Sequence, residues 1–428
     1  MIMSYGNYVE LKFFKNVLKL SSFSTVGQII AVISLPLITR LFSPADFGLY
    51  SAFIAVVSLV GVWGTGMYHQ VIVITDDSKE VVQLLFLTFL LSISLGFLTL
   101  GVATIANWLE LFGSSEAVIT YSGFFVLAVV LYAINQSMYA LNTRRGHFNL
   151  MGSSNLTRDI IASSSKLALG YFGVLKLGLI LGYLFSQSIF LVLLSIPFLK
   201  HIARDRLSVG IKPTSLLVLA QKYIDFPKKA LPSNTIAVLA IQAPILFLGI
   251  IFNPEVLGYY ALARTVLGLP LAVLGGSIMS VFQSEASTQF NANGNCQVLY
   301  QKLGFTIFSL GIIPVVLGML FVGPLFELVF GLEWSIAGYY CAILMPLYLL
   351  RLIGKPLGYI FPLTKHLNFS LYMMLAFGFS SAGALGAGYV FNSPVLAVFL
   401  ISITHSLCYL AMIYFGYQMS RGVKYAIK

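Results

Sequence analysis

The sequence predicts an all-α integral membrane protein, with about twelve transmembrane helices in two parallel-repeat six-helix lobes around a central cavity. Three observations predict it. The first is composition. With 58% hydrophobic and 9% charged residues in 428, and a mean hydropathy of +0.92, the chain lacks the polar atoms to cover a water-soluble surface. The second is a repeat. Phe42, Pro44, Gly48 and Tyr50 form an F-x-P-x-x-x-G-x-Y pattern, and Phe252, Pro254, Gly258 and Tyr260 repeat it 210 residues later. That offset is nearly half the chain, so the pattern reads as a tandem duplication of a helix pair joined by a turn. Pro is expected to stop the first helix, Gly to permit the turn, and the aromatics to sit at a membrane interface. The third is the distribution of basic residues, taken up below.

Apolar runs long enough to cross about 30 Å of hydrocarbon lie near 20 to 41, 47 to 74, 81 to 107 and 117 to 141. A shorter, more polar fifth falls near 156 to 173, and a sixth near 175 to 199. Beyond a basic stretch come runs near 231 to 252, 257 to 282, 301 to 330, 335 to 361, 367 to 391 and 394 to 419. The expected domains are an amphipathic interfacial segment at 1–19, a six-helix lobe at 20–199, a basic cytoplasmic linker at 200–230 and a second six-helix lobe at 231–428. Within the linker, 215 to 223 is expected to lie on the inner surface. Six spans per half put both halves in from the same side, so the repeats are parallel.

If the N-terminus is inside, nineteen of the 25 Lys and Arg fall in inner segments, against Arg40 and Lys176 outside. This asymmetry places both termini in the cytoplasm. It also accounts for the net charge of +11 through anionic lipid headgroups, with no need of nucleic acid. Cys296, Cys341 and Cys408 are isolated and read as small apolar residues. The five histidines, His69, His147, His201, His366 and His405, show no metal-ligand spacing. No catalytic, cofactor or metal site is expected. The acids at 76 to 80 read as a solvated turn.

The visible chemistry is positive charge within the membrane, where a mid-span cation needs a partner or a water-filled cavity. Lys166 falls near the middle of the fifth span, and Asp159, Ser163 and Lys166 share one helix face. That face either lines a cavity or carries an internal Asp159–Lys166 bridge. Arg264 lies six residues into the eighth span, about 9 Å deep, where the first copy of the repeat has Ile54. Arg351 and Lys355 are one turn apart on the tenth span, and Lys355 and Arg40 are near enough to span ends to snorkel. Nearly all fourteen acids fall in connections or near span ends, so the interior is biased toward anions. The binding candidates are Arg264, Arg351, Lys166, Lys355, Arg40 and Asp159.

The run from Leu20 to Lys79, with Leu41 to Tyr50 (LFSPADFGLY), Gly64-Thr65-Gly66 and the charged loop Asp76 to Glu80, resembles the N-terminal signature of bacterial polysaccharide (O-antigen, Wzx-type) flippases. These belong to the multidrug/oligosaccharidyl-lipid/polysaccharide exporter superfamily. The chain departs from relatives in having His69-Gln70 where many have a basic residue closing the second span. The resemblance implies a flippase of the bacterial inner membrane, in lipopolysaccharide or other surface polysaccharide biosynthesis. It would move undecaprenyl-pyrophosphate-linked repeat units outward by alternating access through a cationic cavity. Implied partners are the lipid-linked oligosaccharide, membrane lipids, a polysaccharide polymerase and a chain-length regulator. The alternative is a cation-coupled small-molecule or drug antiporter of the same superfamily, which calls for intramembrane carboxylates.

Overall fold

The computed structural model describes residues 22–75, 77–108, 116–205 and 213–422. The expected interfacial segment at 1–19 and the linker residues 206–212 lie outside them. Among the described residues the structure is helical without strands. In chain order the helices are α1 (Ser22–Thr39), α2 (Pro44–Gly61), α3 (Tyr68–Ile74), α4 (Ser78–Trp108), α5 (Glu116–Arg144), α6 (Phe148–Tyr171), α7 (Leu175–Asp205) and α8 (Pro213–Lys222). They continue as α9 (Leu231–Ile251), α10 (Pro254–Asn293), α11 (Gln297–Phe330), α12 (Ser335–Leu357), α13 (Ile360–Leu363), α14 (Leu367–Val390) and α15 (Pro394–Ser420).

Among the described residues, eleven segments are long and apolar enough to span a bilayer. The polar α6 has the length alone, 24 residues or roughly 36 Å. It begins at Phe148, eight residues before the span that hydropathy marks. Its opening turns are polar yet buried, with Met151, Gly152, Ser154 and Asn155 packed inside the protein. A hydropathy profile reports what faces lipid, and these residues do not.

By their internal contacts the described residues fall into two compact units, those within 22–31 and 53–238 and those within 32–52 and 239–422. In the first, α6 packs along α7 and α4 along α5. Polar side chains bridge the helices, as they must where no water satisfies them. Ser137 Oγ donates to Thr88 Oγ1 at 3.0 Å, Asn142 Nδ2 to the Leu194 carbonyl at 2.9 Å and Asn135 Nδ2 to Gln187 Oε1 at 3.0 Å. The linker helix α8 docks on the same unit. Leu219 joins a core of Tyr68, Val71, Ile72, Leu84 and Leu141, and Tyr68 Oη donates to the Ala220 carbonyl at 3.0 Å. Glu80 clamps it from α4, accepting from Lys222 Nζ, from Tyr223 Oη at 2.9 Å and from Thr75 Oγ1 at 3.1 Å. The Glu80 hydrogen bond raises the Lys222 pKa above the usual lysine value. Glu80 therefore anchors the linker, where a merely solvated turn was expected.

In the second unit α12 is the hub, packing against α10, α11 and α15. Both copies of the repeat lie here, and they touch. A Cβ built on Gly48 would sit 1.7 Å from the Pro254 carbonyl oxygen, and one on Gly258 would sit 1.8 Å from that of Pro44. The contact is reciprocal, as an approximate two-fold relation between the copies requires. This corrects the expected roles of the motif. Pro44 and Pro254 open the second helix of each pair and do not stop the first, as suits a residue with no N–H to lose at the first helical position. Ser43 and Asp46 form a reciprocal capping box, and Asn253 Oδ1 accepts from the Val256 amide at 2.8 Å. The glycines lie inside α2 and α10, where they allow a close helix contact instead of a turn. Phe42 and Tyr260, expected at an interface, are buried. Trp334 fastens the same seam, its Nε1 donating to the Thr39 carbonyl at 3.1 Å and its ring edge-on to Phe47 at 5.1 Å.

Candidate functional site

The second unit brings two of the sequence-picked arginines together. Because α10 begins at Pro254, Arg264 lies ten residues, roughly 15 Å, from the helix start, deeper than the sequence suggested. Its Nη1 and Nη2 each donate to Gln242 Oε1 at 3.3 Å, with Nη1 also 3.5 Å from the Ile241 carbonyl on α9. Tyr348 of α12 links it to Arg351. The Tyr348 hydroxyl donates to the Arg264 carbonyl at 3.4 Å, and the Arg351 guanidinium lies 5.4 Å from the Tyr348 ring centroid. The hydroxyls of Tyr260 and Tyr348 feel both guanidinium charges.

Neither arginine has a carboxylate partner among the described residues, and Arg351 Nε is buried with no hydrogen-bond partner. Lys355, one turn along α12, is exposed and adds to the same positive field. His405 of α15 and Tyr409 also lie in the field of Arg351. His405 Nε2 is tied to Ser381 Oγ at 2.9 Å on α14. Arg40 is exposed and set apart from this pair. Its Nη2 donates to the Leu328 carbonyl at 3.3 Å, one of the orphan carbonyls at the end of α11, where a cation also favours the helix dipole.

Lys166 and Asp159 belong to the first unit, on α6. The early start of that helix moves Asp159 to its middle and leaves Lys166 five residues, roughly 8 Å, from its end. Arg158, which sequence order left in a connection, lies mid-helix with Asp159 and pairs with it. Its Nε and Nη2 donate to Asp159 Oδ1 at 3.0 and 2.9 Å, and its guanidinium lies 4.9 Å from the Phe190 ring centroid. Asp159 thus bridges to Arg158, not along the helix to Lys166. Lys166 lies where α6 and α7 approach closely, its Cγ 2.7 Å from where a Gly182 Cβ would be. Gln28 Oε1 and Ser154 Oγ of this unit are buried without partners.

Sequence reasoning found the charged members and missed Arg158, Gln242, Tyr348 and Gln28. The neighbouring Arg158 and Asp159 carried a signal that a longer α6 would have exposed. The neutral side chains carried none. Among the described residues no group of three His, Cys, Asp or Glu is placed to hold a metal ion.

Comparison with known proteins agrees with the architecture. A family model described as "Polysaccharide biosynthesis protein" matches residues 37–337. No curated protein matches the chain. Among solved structures, the lipid II flippase MurJ in an inward closed conformation is similar with a TM-score of 0.71 and 13% identity, over 94% of this chain and 89% of that one. An inward-facing multidrug resistance MATE family transporter of the MOP superfamily gives 0.63 and 14%, over 93% of each chain. A MOP superfamily transporter from Pyrococcus furiosus, with a binding pocket described as of reverse polarity, gives 0.59 and 15%, over 94% of each. The chain thus shares the helical fold of these solved structures.

Proposed function

As the chain belongs to the polysaccharide biosynthesis protein family, we propose that it is a transporter that flips a lipid-linked oligosaccharide, carried on undecaprenyl pyrophosphate, across the bacterial inner membrane by alternating access. The observation that carries this reading is the pair Arg264 and Arg351 about Tyr348, deep in apolar helices and without a carboxylate among the described residues. Two fixed cations in such a setting are costly unless an anion completes them. A pyrophosphate headgroup cannot cross hydrocarbon unaided, and the guanidinium fork matches phosphate oxygens. Its polyprenyl tail can stay in lipid throughout, so the protein need shelter only the headgroup.

The excess of basic residues in the expected inner segments supports an orientation with both termini in the cytoplasm. An anion moving outward from a negative interior then gains about 2.3 kcal/mol per charge per 100 mV, provided that the arginines stay in place. The antiporter reading is less well supported, because the mid-helix acid Asp159 is already neutralised by Arg158.

The test is glycan export by Arg264→Ala and Arg351→Ala variants with membrane abundance verified. A hydrogen bond to a charged group is worth about 1.5–3 kcal/mol, so each variant should bind the headgroup about 10- to 150-fold more weakly. Lys355→Ala and Arg40→Ala should be milder. Normal export by both arginine variants would overturn the proposal.

A further inference from the structure

A second surface of the same unit has the form of a lipid site. A lateral groove of about 630 Å³ runs between α11, α12 and α15, within the roughly 300–1,000 Å³ usual for small-molecule sites. Its floor is Ile353 and Leu357 of α12, and its rim is Phe305, Phe308 and Leu410. Gly304 keeps it open. A Cβ there would already lie 3.4 Å from Leu357 and 3.9 Å from Ile353, so any larger side chain would fill the floor.

One end of the groove is polar. Tyr417 closes it, accepting at its hydroxyl from Gln297 Nε2 at 2.8 Å and Gln301 Nε2 at 3.2 Å, and the Arg421 guanidinium lies 5.8 Å from the Tyr417 ring centroid. Arg421 is exposed, and among the described residues no carboxylate pairs with it. The chain on each side of it is pinned. The Ser420 carbonyl accepts from the Cys296 amide at 2.9 Å, and Gly422, at φ +68°, leaves no room for a Cβ against the Gly294 carbonyl. A cation is therefore held at the end of an apolar groove where α15 ends and α11 begins.

We infer that this groove holds an acyl chain of an anionic phospholipid of the surrounding bilayer, its phosphate against Arg421. The charge complementarity selects an anionic headgroup over a zwitterionic one. The location at a helix end, where bilayer phosphates reside, suits a resident lipid. A transported headgroup would have to leave that level. The groove shares no residue with the Arg264–Arg351 pair, so the inference stands or falls separately from the transport proposal.

Native mass spectrometry of the full-length protein, purified in mild detergent and offered phosphatidylglycerol or phosphatidylcholine of equal chain length, tests it. Wild type should retain phosphatidylglycerol preferentially, and Arg421→Gln should reduce that preference about fivefold, the factor contributed by one basic residue near an anionic surface. Gly304→Leu should lower retention of both lipids. Leu410→Trp, a gentler change at the rim, should do the same if Gly304→Leu does not fold. Equal retention of the two headgroups by wild type, or unaltered preference in Arg421→Gln, would overturn the inference. Displacement of phosphatidylglycerol by a polyprenyl phosphate would also overturn it and assign the groove to the substrate's tail.

Discussion

Replacing Gly48 by Ala tests whether the two copies of the repeat are held together by their glycines. The new methyl would sit 1.7 Å from the Pro254 carbonyl oxygen, a backbone atom with no flexible end to swing away, and such contacts must open beyond 3.0 Å. The starts of α2 and α10 would have to part by about 1.3 Å. Overpacking of this kind costs about 1–3 kcal/mol, so the closed seam should lose about 5- to 150-fold in population. Gly258→Ala should match it, because its methyl meets the Pro44 carbonyl at 1.8 Å. The reciprocal geometry makes a sharper statement about the double variant. Once one methyl has parted the helices, the second finds space already made, so the pair should cost clearly less than the sum. Trp334 reports on the seam directly, being 1% exposed and hydrogen-bonded to the Thr39 carbonyl. In a Trp63→Phe, Trp108→Phe background its emission should shift to the red and its quenching by acrylamide rise in either single variant. Unchanged emission, quenching and thermal unfolding in Gly48→Ala would refute the close-contact argument.

Three further outcomes follow from the geometry. Glu80→Gln should release α8, seen as faster hydrogen exchange over 213–222. Since the Lys222 pKa is raised by Glu80, the latch in wild type is complete below the ordinary lysine pKa and is lost only as pH rises through the raised value, so the variant should lack that alkaline loosening. Asp159→Ala should destabilise the protein more than the Arg158→Ala, Asp159→Ala double variant in a detergent thermal-unfolding assay, because it strands a partly buried guanidinium. Equal losses would count against the pair. Sided reporter fusions after Lys428 and within the α4–α5 connection should report opposite compartments, and a shared compartment would refute the proposed orientation.

The bilayer makes part of this protein unusually legible. A segment facing lipid must be apolar for some twenty residues, so the long helices could be placed from hydropathy to within a few residues at many ends. The same rule hid α6, whose polar opening turns face other helices and obey packing instead. The repeat was visible as a pattern, yet its meaning was not. A sequence shows Gly six residues after Phe, but whether that Gly turns the chain or admits a carbonyl from a copy 210 residues away depends on which helices meet.

Charge was legible in sign and less so in partnership. Arg264 and Arg351 stand out because a cation within an apolar run is expensive, and that expense holds wherever the helix packs. What surrounds them is written in Gln242 and Tyr348, neutral residues whose presence in a membrane helix demands far less explanation. Asp159 shows the limit from the other side. Helical spacing put it on one face with Lys166, but an adjacent arginine with a long, flexible stem reaches its Oδ1 with two N–H groups while the lysine two turns away does not. That local choice cancels one charge of each sign within α6. Arg264 and Arg351, well inside their helices, have no such carboxylate among the described residues, and under the proposed function this is where removal of a single guanidinium should be felt most in export.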